Sequence, residues 1–162
     1  MRCPLDHELP EPILPAGYTL RLVEKKDVSS RAAAQYAALQ SSTQWREYLQ
    51  KYVHFMDSPG YPLCGDWVVL APDGCVAAFC NVWYDAVSRT GQIEPVGTHP
   101  DFQRKGLGKA VMTAGMRFLQ SKGMGATRIC VIADNLPAIK LYESVGFRLV
   151  NKLLLHQKAI QN

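Results

Sequence analysis

Val96-Gly97-Thr98-His99-Pro100-Asp101-Phe102-Gln103-Arg104-Lys105-Gly106-Leu107-Gly108-Lys109-Ala110 reads as the end of a strand, a short basic loop and two glycines opening a long helix. Gly106 and Gly108 carry no Cβ, so backbone amides at the turn can approach a bound anion. The unpaired amides and positive dipole end of the following helix favour negative charge. Arg104, Lys105 and Lys109 add cations around the same turn. The stretch is a pyrophosphate cradle, and its ligand is a phosphorylated cofactor.

Three phosphate-binding loops share this general chemistry. A P-loop needs a glycine at position 103 and a hydroxyl at 110, where this chain has Gln103 and Ala110. A dinucleotide fingerprint matches Gly106 and Gly108 but lacks the third glycine, and six residues from Pro100 to Lys105 separate strand from helix where that motif turns at once. Asp134 stands roughly where a ribose-binding acid would fall, which keeps a nucleotide-binding module among the alternatives.

Gln103-Arg104-Lys105-Gly106-Leu107-Gly108 also fits a third pattern: Gln or Arg, two residues, Gly, any residue, then Gly or Ala. A second stretch follows, Asn135-Leu136-Pro137-Ala138-Ile139-Lys140-Leu141-Tyr142-Glu143-Ser144-Val145-Gly146-Phe147. Together they resemble the two signatures of the GNAT superfamily of acyl-CoA N-acyltransferases. The resemblance covers about residues 17–156, and Pro95-Val96-Gly97-Thr98 is similar to members near mycothiol synthase.

The chain has 162 residues, 48% of them apolar and 20% charged, which suits one domain with one core. Its net charge of +4 suits a polyanion such as coenzyme A. Nucleic-acid binding is not expected, because dense basic clustering is confined to residues 104–109. No apolar run approaches the roughly 18 residues of a membrane span, and the acidic, proline-bearing N-terminus is no signal peptide. The expectation is a cytoplasmic protein without a membrane partner. Cys3, Cys64, Cys75, Cys80 and Cys130 form no C-x-x-C pair, so neither metal nor disulfide framework is expected. Cys80 and Cys130 lie in strand-like runs and read as small buried apolar residues.

Residues 1–16, with Pro4, Pro10, Pro12 and Pro15, read as an extended leader, and residues 17–162 as a single acyltransferase domain. Strands are expected over residues 18–23, 66–71, 75–84, 91–98, 127–133 and 147–156. Helices are expected over 32–39, 43–55, 106–122 and 135–145, with Pro72-Asp73-Gly74 as a hairpin turn. The resemblance implies an α/β fold of α+β type: a mixed, mostly antiparallel sheet splayed between its fourth and fifth strands, with helices on both faces. Many relatives carry one more strand after the sixth. Either the last segment bends to serve as both, or an edge is left for the other subunit of a homodimer.

Acyl transfer to an amine needs a base for the amine, a donor for the oxyanion and an acid for the leaving thiolate. By resemblance Tyr142 is that acid. Glu94 is the candidate base, expected to share the face of Val96 two residues on and to be desolvated there. Gln92 stands near where some relatives place their glutamate, and His99 is the second candidate. The resemblance implies that the backbone of Val96, Gly97 and Thr98 pairs with the pantetheine arm, with Gly97 leaving room for it. It also implies that Gln103, Arg104, Lys105, Gly106, Leu107, Gly108 and Lys109 hold the pyrophosphate. Asn135 is expected to cap its helix and touch the cofactor; Lys140 could approach the adenosine phosphate but reads as a surface lysine.

Trp45, Tyr48, Tyr52, Tyr61, Trp83 and Tyr84 are candidates to line the acceptor side. They favour a small-molecule amine over an extended protein tail. The reading is an N-acetyltransferase using acetyl-CoA by direct attack in a ternary complex. The alternative is a non-catalytic acyl-CoA-binding sensor or interaction domain.

Overall fold

The alternating apolar runs form one sheet in the computed structural model, which describes residues 1–154. Its strands are β1 (Arg2–Pro4), β2 (Thr19–Leu22), β3 (Asp66–Leu70), β4 (Val76–Asp85), β5 (Thr90–Thr98) and β6 (Ala126–Arg128), in the order β1-β6-β5-β4-β3-β2. Every neighbouring pair is antiparallel except β5 and β6. The helices are α1 (Val28–Ala38), α2 (Trp45–Met56), α3 (Leu107–Ser121) and α4 (Leu136–Ser144). This is the mixed, mostly antiparallel arrangement that the resemblance implied.

The two-residue period of β4 sends its side chains into two cores. Phe79 packs with Ala32 and Ala34 of α1 and with Tyr52 and Met56 of α2. Cys80 and Val82 pack with Leu107, Val111, Met112, Met116 and Leu119 of α3 and with Tyr142 of α4. Helices therefore cover both faces, and each strand residue is assigned to the α1–α2 side or the α3–α4 side.

Two irregularities in β5 shape the site. Its parallel ladder with β6 spans only Thr90–Gln92 against Ala126–Arg128, so the edge from Ile93 to Thr98 has no strand partner among the described residues. That is the splay. The second is a bulge: Cys80 pairs with Val96 and Val82 with Ile93, two steps on β4 against three on β5. The extra residue falls at Glu94–Pro95, a cis peptide. A bulge of one residue reverses the alternation beyond it.

Two sequence expectations are corrected. Residues 1–16 are extended, but they are not a leader outside the fold. β1 pairs with β6, and Cys3, Leu5 and Leu9 are buried in the α3–α4 core. The Arg117 guanidinium donates to Leu9 O at 2.8 Å, and Gln120 donates to Leu5 O at 2.9 Å. The last strand is also different: among the described residues the 147–156 run contributes one bridge, Arg148 to Arg2, and Leu149 and Val150 are exposed. The N-terminal segment is the one that pairs along the outer edge of β6. Residues 155–156 of that run lie outside the described residues.

Candidate active site

The cradle forms where β5 hands over to α3. Gly106 is the N-cap of α3 at φ +79°, and Arg104 just before it is at φ +64°. Glycine holds the left-handed conformation without strain, which a Cβ at this turn would introduce. No side chain caps α3, and the first intrahelical bond is donated by Ala110 to Gly106 O at 3.0 Å. The amides of Leu107, Gly108 and Lys109 precede that bond, as the orphan donors of a helix N-terminus do. Gly108 serves packing: a Cβ there would lie 3.1 Å from Thr98 Oγ1 and 3.2 Å from Leu141 Cδ2. Its missing side chain lets α3 close on β5 and α4.

Gln103, Arg104 and Lys109 are exposed around this turn. Lys105 is not freely projecting. Its ammonium donates to Tyr18 Oη at 3.1 Å and sits 5.3 Å from the Phe102 ring centroid. His99 is tied into the same loop, accepting from Asp101 N at 3.3 Å and lying against Phe102. Asn135 caps α4 by accepting from Ala138 N at 3.2 Å, and Lys140 is exposed on that helix.

Tyr142 lies on the α3–α4 side near Cys80. It is buried, and among the described residues its hydroxyl has no hydrogen-bond partner. Burial, with a smaller push from Cys80, raises its hydroxyl to about 12, so the group keeps its proton across ordinary pH. Burial likewise pushes the Cys80 thiol well up, and that thiol is no nucleophile. Cys130 is exposed, contrary to expectation, because β6 ends at Arg128.

Glu94 and Val96 lie on opposite faces, where a common face was expected, and the bulge between them is the reason. Val96 packs on the α3–α4 side opposite Cys80, whereas Glu94 stands with Gln92 beside α2. Glu94 is exposed, so the desolvation expected of it is absent. Its carboxylate accepts from Gln92 Nε2 at 2.5 Å. The two residues, with Phe55, Trp83 and Pro95, line a shallow cleft of about 400 Å³. Trp83 donates from Nε1 to Glu94 O at 2.7 Å and closes one side.

Gly97 does not simply make room for a bound arm. A Cβ on it would point into the α1–α2 core, 2.6 Å from Phe79 Cζ and 3.0 Å from Ala38 Cβ. Of the aromatic candidates, Trp83 borders the cleft, while Tyr52 and Tyr61 are buried behind it. Trp45, Tyr48 and Tyr52 stack along α2 with centroids 6.3 and 6.4 Å apart. Tyr84 faces the other way, 6.2 Å from Phe118 of α3, because adjacent strand residues point to opposite sides.

Sequence reasoning missed the polar group beneath the cleft. Arg31 of α1 is fully buried, donates from Nε to Asp66 at 3.2 Å and lies 4.0 Å over the Phe79 ring. Tyr61 donates to the other Asp66 oxygen. Burial pushes the Asp66 carboxyl up against the pull of Arg31 and Tyr61. An Asp opening a strand and an Arg inside an alanine-rich helix carry no periodic signal that would have paired them.

An uncapped helix N-terminus thus lies beside a strand edge that has no strand partner among the described residues, with the protonated Tyr142 buried on the α3–α4 side. The profile of the Acetyltransferase (GNAT) family matches residues 30–147, and the chain belongs to this family. It is 31% identical over 160 residues to the mycothiol acetyltransferase of Saccharopolyspora erythraea, covering 89% of this chain and 48% of that one. The chain thus spans about half the length of the curated relatives it matches. Among solved structures, a GCN5-related N-acetyltransferase from Sphaerobacter thermophilus superposes with a TM-score of 0.72 at 20% identity, over 89% of this chain and 45% of that one. AAC(6')-Iy, solved with the bisubstrate analog CoA-S-monomethyl-acetylneamine, superposes at 0.67 and 15% identity over 88% and 99%. At these identities the likeness shows the fold. No helix among the described residues is long and apolar enough to cross a membrane.

Proposed function

We propose that this chain transfers an acetyl group from acetyl-CoA to the amine of a small molecule by direct attack in a ternary complex. The observation that carries the reading is the conjunction at the splay: free amides at the α3 N-terminus, the unpartnered Val96–Thr98 edge running from them, and the Tyr142 hydroxyl near by. The amides, with Arg104 and Lys109, suit a pyrophosphate. Along the open edge, Val96, Gly97 and Thr98 offer backbone groups to the amides of a pantetheine arm, as an added strand would.

The division of labour follows from the bulge. Glu94 faces the aromatic cleft and takes the proton of the acceptor ammonium, directly or through water, freeing the nitrogen lone pair to attack the thioester carbonyl. Tyr142 works from the other side of the sheet, where its hydroxyl meets the sulfur as the C–S bond breaks. A thiol titrates near 8.5 and Tyr142 near 12, so full transfer to a free thiolate would run uphill by roughly 5 kcal/mol. Tyr142 therefore acts chiefly by donating a hydrogen bond to developing charge. Burial keeps the Cys80 thiol protonated, which disfavours that residue as an acyl carrier and supports direct attack over a route through it.

The membership of the mycothiol and aminoglycoside acetyltransferases in the same fold, and the aromatic cleft, support a compact amine as acceptor. Incubation with acetyl-CoA and a panel of small amines tests the reading. Thiol release matched by amine mass gain, with no acetylated protein when the amine is omitted, is the expected result. Acetyl-CoA binding without turnover on any amine would instead establish a sensor.

A further inference from the structure

Asn81 of β4 is a buried orphan on the side of the sheet that carries the cleft. It is fully buried, and neither its Oδ1 nor its Nδ2 has a partner among the described residues. A buried polar group left unpaired is costly, and native folds keep few of them. Its placement is defined by its neighbours on β4: Cys80 and Val82 face α3, so Asn81 shares the α1–α2 side with Phe79 and Trp83. On β3 it pairs with Asp66, whose two oxygens are already taken by Arg31 and Tyr61. On β5 it stands opposite the Glu94–Pro95 bulge that lines the cleft. A second unpartnered group, the buried Tyr52 hydroxyl, lies on the same side.

We infer that Asn81 is a specificity-determining residue whose buried carboxamide forms the floor of the acceptor cleft and binds a neutral group, carboxamide or hydroxyl, close to the reacting amine. The inference rests on the acyl-transfer reading of the cleft. A carboxamide offers one acceptor and a two-proton donor. An ammonium would leave Nδ2 facing a cation, and a carboxylate would leave Oδ1 facing an anion. A group that both donates and accepts satisfies both atoms. Trp83 and Phe55 line the cleft on this side of the sheet, and Phe55 is 40% exposed near the end of α2.

The test compares glycinamide with propylamine; because the carboxamide also makes glycinamide the weaker base, the readout is the change in their kcat/KM ratio on substitution, in which basicity cancels. Asn81→Leu is expected to lower the preference for glycinamide by about 10-fold or more through its KM, since a site built for a hydrogen-bonding group rejects its apolar analogue, and to leave the calorimetric Kd for acetyl-CoA in place. Its Tm should not fall, because the orphaned polar atoms are gone. An unchanged preference overturns the proposal, as does a lowered Tm, which would show an amide held by internal water for structure alone. If Asn81→Leu does not fold, Asn81→Ala is measured with the same pair, and an unchanged ratio again overturns it. Wild-type protein that acetylates no amine refutes the transfer reading separately, and the Tm comparison then decides the role of Asn81.

Discussion

In the proposed reaction Tyr142 and Glu94 work from opposite faces of one sheet, and each makes a separate prediction. Tyr142→Phe keeps the ring in the α3–α4 core and removes only the O–H. It should lower kcat on the order of 10²-fold with little change in acetyl-CoA affinity, as loss of one transition-state donor does. Wild-type kcat in the phenylalanine variant, by steady-state assay from pH 6 to 9, would reject the donor role. Glu94→Gln keeps a partner for Gln92 but cannot accept a proton. It should cost about 10²-fold or more in kcat/KM for the amine. A wild-type kcat/KM in the glutamine variant would move the base elsewhere.

At the scale of elements, the loop between β5 and α3 depends on one backbone conformation. Gly106 sits at φ +79°, and no heavy atom lies within 4 Å of where a Cβ would be. Gly106→Ala should therefore lower stability by roughly 1–2 kcal/mol through backbone strain alone, without a clash. The strain bears on the amides proposed to hold the pyrophosphate, so acetyl-CoA binding by calorimetry should weaken as well. Gly97→Ala is the contrasting case, with its new methyl 2.6 Å from Phe79. It should unsettle the Phe79–Arg31 stack and lower Tm more than Gly106→Ala does. The reverse order would mean that Phe79 yields easily.

For the whole molecule, the N-terminal segment is the closing piece of the sheet. Cys3, Leu5 and Leu9 are each at most 4% exposed, and losing two or three such side chains from a core removes on the order of 5 kcal/mol. That is comparable with the entire stability of a small domain. A chain beginning at residue 10 is expected to lose cooperative thermal unfolding, and an unshifted Tm would return the segment to a dispensable leader. Alkaline pH acts on the core as well. Burial raises Tyr142 and Tyr52 from 10 to about 12. Both are protonated in the folded state where the unfolded chain begins to ionise, so the stabilisation is complete below about pH 10 and is lost as pH rises toward 12. Burial also raises the Cys80 thiol from its ordinary value of 9.0, so Tm should begin to fall above about pH 9 and fall more steeply above about pH 10, with a shallower fall in Tyr142→Phe.

The cradle, the helix that follows it and the second signature around Tyr142 were legible in the sequence because each is local: a turn, a helix start and a cap are set by residues within a few positions of one another. The alternation of β4 and the hairpin at Pro72-Asp73-Gly74 were legible for the same reason. What lay beyond reach depends on pairing. One extra residue at Glu94–Pro95 reverses the faces of β5, and only the register against β4 reveals it. The proline-rich start was misread because its few apolar residues acquire a role only when β6 stands beside them. Arg31, Asp66 and Asn81 come from three separate elements, and no spacing in the chain connects them. Local chemistry specified the cofactor end, while long-range strand pairing, with its burial of polar groups, decided the shape and polarity of the acceptor end.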